Sequence, residues 1–106
     1  MSENNLTGFR LTPAAQNDLE DIWYYTMQNW SVTQADRYAD ILEDTLDRLV
    51  FMPEMARERL DFNPPVRIHP SAEHLIVYRI QDHHLAVLRV LGASQNWQAI
   101  LRAVDQ

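Results

Sequence analysis

The chain has no cysteine and no lysine, and only two glycines among its 106 residues. Each absence closes off a chemistry. Without cysteine there can be no disulfide framework, thiolate nucleophile or zinc–thiolate centre. With so little glycine no GxGxxG or GxxxxGKS string occurs, so the usual backbone cradles for nucleotide phosphates are missing. Without lysine, nine arginines carry all the fixed positive charge against fifteen acids, for a net charge of −6. Such a balance suits nucleic-acid backbones poorly, because affinity for them comes largely from phosphate neutralisation. The charge is also uneven: residues 1–61 hold twelve acids and five arginines, and residues 62–106 hold three acids and four arginines. No apolar run approaches the roughly 18 residues that span a bilayer, and the opening MSENN lacks the basic-then-apolar layout of a signal peptide. We therefore expect a cytoplasmic protein of one domain, residues 1–106, with a protein partner and neither nucleic acid nor membrane.

What is present is ordinary globular composition, 46% apolar and 23% charged. Leu6–Leu11 alternates as a short strand. Thr12 then precedes Pro13, an N-cap followed by the proline that helix starts tolerate, and Ala15, Leu19, Ile22, Trp23, Thr26 and Trp30 follow one helical stripe. The first helix is predicted over 13–30. It also carries Tyr24 and Tyr25, more aromatic surface than one buried face accounts for. Thr33 with Asp36 reads as a capping box for a second helix over about 34–52, which Pro53 ends. The short break between the two predicts an antiparallel hairpin.

Residues 53–65 read as a connector with a helical turn near 54–60. Beyond it the apolar period becomes two, predicting strands near 66–69, 74–81 and 85–91, and then a short helix near 95–104. A three-residue turn at Asp82–His84 would put Ile76, Tyr78, Ile80, Ala86, Leu88 and Val90 on one apolar face, and Arg79 with Arg89 on the other. A two-residue turn would put one arginine on each face, which burial should resist. The expected fold is α+β, two layers in the order β-α-α-β-β-β, with the helix hairpin packed on an antiparallel sheet of about four strands.

Few residues group as chemistry. The four histidines lack helical metal-ligand spacing, and His83 and His84 fall in a predicted turn. Asp40, Glu43, Asp44 and Asp47 lie opposite an apolar stripe, the pattern of a solvated face. Neither a metal nor a cofactor is expected, and no catalytic residue is assigned. The two sheet arginines either lay their stems over apolar surface or anchor an acidic partner.

The order of elements, with LTPAAQNDLEDIWYYT, WSVTQADRYADILEDTLDRL, VYRI and VLRVL, resembles the RelE/ParE superfamily of type II toxin–antitoxin toxins, and its ParE branch above all. The resemblance spans nearly the whole chain. It implies a sheet with the first strand beside the last, and a toxin that inhibits DNA gyrase, of the kind tied to plasmid stabilisation. It also implies neutralisation by a ParD-like antitoxin whose carboxy-terminal segment folds over exposed apolar surface. The alternatives are a ribosome-dependent messenger-RNA endoribonuclease of RelE type, or a member that only binds antitoxin. Against the RelE pattern, His69 and Ser94 stand where catalytic arginines are expected, and Ile100 near the expected tyrosine. Against the ParE pattern, Gly92 stands where histidine is frequent, and ASQN lacks the usual nearby basic residue. Tyr24, Tyr25, Arg79, Arg89 and Trp97 are the candidates for binding antitoxin or target.

Overall fold

A computed structural model describes residues 6–104; MSENN, on which the leader expectation rested, lies outside them. Three helices and five strands follow one another as β1 (Phe9–Leu11), α1 (Pro13–Asn29), α2 (Val32–Phe51), β2 (Glu58–Arg59), β3 (Val66–Ser71), β4 (His74–Gln81), β5 (His84–Gly92) and α3 (Trp97–Val104). The sheet order is β1-β5-β4-β3-β2. The first strand thus lies beside the last long one, but their pairing is parallel, and the sheet is mixed rather than wholly antiparallel. The fifth strand, β2, is two residues inside the connector, where a helical turn was predicted.

Local chemistry explains the helix ends. The Thr12 hydroxyl accepts from Ala15 N at 3.0 Å and donates to Leu88 O at 2.8 Å, so one side chain caps α1 and ties its start to β5. Pro13 takes the first helical position. The cap of α2 is Ser31, which accepts from Gln34 N at 3.0 Å. This corrects the predicted Thr33–Asp36 box: Asp36 instead accepts the Trp23 indole N–H at 2.9 Å and joins the two helices. Along α2 the residues Leu42, Thr45, Leu46 and Leu49 are buried, while Asp40, Glu43, Asp44 and Asp47 are exposed.

The hairpin register differs from expectation. Gln81 pairs with His84 and Ile80 with Leu85, so the turn is the two residues Asp82 and His83. Asp82 has φ of 54°, the left-handed conformation such tight turns use and aspartate tolerates. Tyr78 then pairs with Val87 but Val77 with Arg89, so Leu88 is an extra residue on β5, a β-bulge. The core facing α1 and α2 is consequently Ile76, Tyr78, Leu85, Val87 and Val90 with Ala15, Leu46 and Leu49. Of the six residues assigned to this face, Ile76, Tyr78 and Val90 are there. Leu88 packs in a second cluster on the other side with Phe62, Val66, Val77, Leu91 and Leu101. Ala86 alternates with Leu85 and Val87, and so also faces away from the hairpin. Ile80 lies at the exposed hairpin end.

The sheet therefore has apolar packing on both faces, the second under α3 and the connector. Buried polar groups are matched: Tyr78 OH donates to Pro53 O at 2.7 Å, and Thr45 and Ser71 share a buried 2.6 Å hydrogen bond between α2 and β3. Leu46 sits in the hairpin-side core at 2% exposure. Leu46→Ala is expected to cost about 2–5 kcal/mol of unfolding free energy, from lost transfer energy and the cavity left behind, as read from denaturant unfolding.

Candidate functional site

The surplus aromatics of α1 separate into an inner and an outer set. Trp23 is half-buried and bonded to Asp36. Tyr24, Tyr25 and Trp30 are 56%, 60% and 67% exposed, which corrects the expectation that Trp30 lies on the buried stripe: α1 ends at Asn29, and Trp30 stands just past it, edge to face with Tyr25 with centroids 6.3 Å apart.

The hairpin and β1 leave a groove of about 230 Å³, lined by Phe9 and Leu11 of β1, Leu19, Ile22 and Trp23 of α1, and Ala35, Ala39, Leu42, Glu43 and Leu46 of α2; of the α1 aromatics only Trp23 reaches it. Only Glu43 among these is charged. The groove exists because small residues recur on α2 at positions 35 and 39, where larger side chains would fill the space between the helices. Sequence periodicity marked the stripe as core but gave no sign that part of it stays open.

The candidate arginines do not come together. Arg79 faces away from the hairpin, on the side of Val77 and Val66. Arg89 turns towards the hairpin: its Nε and Nη2 donate to the Asp18 carboxylate of α1 at 2.7 and 2.9 Å, and Val90 N donates to the same carboxylate at 2.9 Å. The expected shared face is thereby corrected. Burial does resist a lone arginine on the packed face, but here a carboxylate satisfies it bidentately, and the bond to Asp18 raises the Arg89 pKa further. Trp97 opens α3 and packs against Phe62 in the second cluster, with the Arg59 guanidinium over its ring.

The histidines are dispersed among the strands and their connecting turn, and no group of metal-binding side chains occurs among the described residues. His74 Nδ1 lies 2.7 Å from Tyr38 OH, which also accepts from Glu73 N at 3.0 Å. The Tyr38 hydroxyl is thus shared between the Glu73 amide and the His74 ring, and joins α2 to the start of β4. Burial lowers the His74 pKa against the pull of Glu73 and Asp18, and burial with nearby Arg48 lowers that of His69. Burial also raises the Tyr38 pKa. His69 lies half-buried on β3 opposite Ile76, Ser94 is exposed after β5, and Ile100 packs into the second cluster.

A helix hairpin packed on a mixed sheet, with the first strand beside the last long one, is the arrangement that the resemblance to the RelE/ParE superfamily implies. The chain belongs to the ParE family: the family model described as "ParE toxin of type II toxin-antitoxin system, parDE" matches residues 9–97. It is 34% identical over 93 residues to Toxin ParE1 of Caulobacter vibrioides, covering 88% of this chain and 96% of that one. It is also 34% identical over 84 residues to Toxin ParE1 of Mycobacterium tuberculosis, covering 78% and 86%. A solved chain described as "Chromosomal ParDE TA system from P. aeruginosa" shares the fold, with a TM-score of 0.74 at 15% identity over 87% of this chain and all of that one.

Two expectations follow from the geometry. Asp18→Asn keeps the shape but removes the charge facing Arg89, and is expected to cost about 1–3 kcal/mol in denaturant unfolding. For the histidines, the folded state holds fewer protons than the unfolded chain as pH falls. Their contribution to stability is thus complete above the unfolded value near 6.5 and is lost as pH drops through the lowered folded values. The melting temperature is expected to fall between about pH 7.5 and about pH 5.5, and to fall less in His74→Gln.

Proposed function

We propose that this ParE-family toxin acts by binding rather than by catalysis, with DNA gyrase as its target, and that a ParD-like antitoxin neutralises it. The groove between the hairpin and β1 carries the antitoxin part of the reading. It is open, apolar and shaped for the side chains of an amphipathic segment, and a segment that folds as it binds gains most by burying apolar anchors in such a slot. The outer aromatics Tyr24, Tyr25 and Trp30 offer anchors of the type that dominate interfaces.

The binding mode of action is supported by what occupies the positions a RelE-type nuclease would use. Cutting RNA requires groups that move protons and neutralise phosphate charge. Position 69 is a histidine whose protonated form is disfavoured, position 94 a serine, and position 100 an isoleucine packed in a core.

Purified toxin is expected to inhibit gyrase supercoiling and to leave ribosome-bound messenger RNA intact; ribosome-dependent cleavage would overturn the proposal. Ala39→Trp fills the groove from an exposed position and is expected to weaken antitoxin binding about tenfold or more in calorimetric titration, with the fold retained by circular dichroism. Tyr24→Ala and Tyr25→Ala are expected to weaken it with little dependence on salt, since apolar contacts are not screened.

A further inference from the structure

The sheet register brings together two arginines that are far apart in sequence. Arg79 of β4 pairs with Ala86 of β5, and Ala86 in turn pairs with Arg10 of β1. Neighbours of Arg10 and Ala86 along their strands, Phe9, Leu11, Leu85 and Val87, all face the hairpin-side core, so Arg10, Ala86 and Arg79 share the opposite face. It is thus Arg10 and Arg79, not Arg79 and Arg89, that share a face of the sheet.

Arg10 and Arg79 in this row have no partner among the described residues. Among the described residues neither the Arg10 nor the Arg79 guanidinium has a hydrogen bond or ion pair, whereas Arg89 is held by Asp18 and Arg59, further along the same row, by Asp61. Arg10 is exposed; Arg79 is half-buried at a cleft of about 120 Å³ that it shares with Arg67 and Glu58. Arg67 spends one guanidinium nitrogen on Ala56 O. Glu58 is the one carboxylate in the cleft, and Asp82 lies in the adjoining turn; Gln81 and His84 occupy the next step of the same face. In a chain with fifteen acids, two arginines that share one face with no partner among the described residues make a local reversal of sign.

We propose that Arg10 and Arg79, flanking Ala86, form a carboxylate-binding strip that receives an acidic extended segment of a protein partner. Strands lie about 4.8 Å apart, so the two arginine Cα atoms are roughly 10 Å apart, and carboxylates two residues apart on an extended chain are separated by about 7 Å. Long arginine stems close that difference by leaning inward over the small Ala86 side chain. Each guanidinium then donates two parallel hydrogen bonds to one carboxylate, a geometry lysine cannot copy. The choice of a protein over a nucleic acid follows from the surrounding charge: the chain's excess of acids repels a polyphosphate over its length but tolerates a short acidic stretch at one basic strip. The strip and the groove lie on opposite sides of the sheet, so both can be filled at once.

The test is a nuclear magnetic resonance titration of the full chain at low salt with a short capped peptide of alternating glutamate and alanine, and with its glutamine counterpart. Saturable shifts of the Arg10 and Arg79 Nε–H and the Ala86 amide with the glutamate peptide alone support the strip. Arg10→Gln with Arg79→Gln is expected to weaken the peptide roughly tenfold, and Arg37→Gln on α2 to leave it unchanged. Arg79→Lys keeps the charge without the fork and is expected to fall between. Equal shifts with both peptides, no saturation, or an unaffected double variant would overturn the proposal. So would tighter binding of single-stranded DNA or inorganic phosphate to the same row. Ala39→Trp must leave peptide binding intact, which separates this site from the antitoxin groove.

Discussion

The carboxylate of Asp18 holds the two layers in register. It accepts three hydrogen bonds from β5, two from the Arg89 guanidinium and one from Val90 N, across 71 and 72 residues of sequence. A helix lying on a sheet by apolar contact alone can slide, because hydrophobic burial is not directional. A bidentate ion pair with a backbone amide beside it removes that freedom. The bulge at Leu88 supplies the geometry: with an extra residue in β5, Arg89 turns to the hairpin side next to Val90, while Leu88 packs on the other side. Side chains that a regular strand would send to opposite faces are thus both usable against α1. The Thr12 hydroxyl adds a second tie a few residues away, to Leu88 O, so the beginning of α1 is fixed to the bulge itself.

Once α1 is fixed, the groove follows. α2 is connected to α1 by a turn capped at Ser31 and is anchored to β3 through Thr45 and Ser71. Neither helix is free to close on the other, and with only alanine at positions 35 and 39 the space between them and β1 stays open. A cavity of this kind inside a core would carry a stability penalty that selection normally removes. On the proposed function it is retained because an antitoxin segment completes the packing. The same proposal accounts for Tyr24, Tyr25 and Trp30, whose large exposed faces the isolated fold leaves uncovered.

Much of this was readable from local pattern. Thr12 before Pro13 marks the start of α1, Pro53 the end of α2, and the change from a helical to an alternating period marks the sheet, because all three depend on residues close in sequence. The turn and the bulge depend on something else. The two-residue turn needs Asp82 to adopt positive φ, which aspartate neither requires nor forbids, so the residue type does not decide between the two turns. The rule that a lone arginine avoids a packed face pointed to the wrong register because its partner, Asp18, looked like one of several first-helix acids on a solvated surface. β2 leaves no mark in the sequence, since two residues carry no period.

The candidate binding residues show the same division. Tyr24 and Tyr25 stood out because a helix cannot bury every aromatic it carries, an inference that needs only helical geometry. Trp97 was grouped with them on residue type, but lies against Phe62 beneath Arg59. Nothing in the sequence singles out Arg10, since no neighbour is basic. It gains meaning only through β1 pairing in parallel with β5, which sets it beside Ala86 and opposite Arg79. The parallel closure of the first strand onto the last thus does two things at once. It puts Phe9 and Leu11 into the wall of the groove on one side of the sheet, and by the alternation of a strand it must put the residue between them, Arg10, on the other.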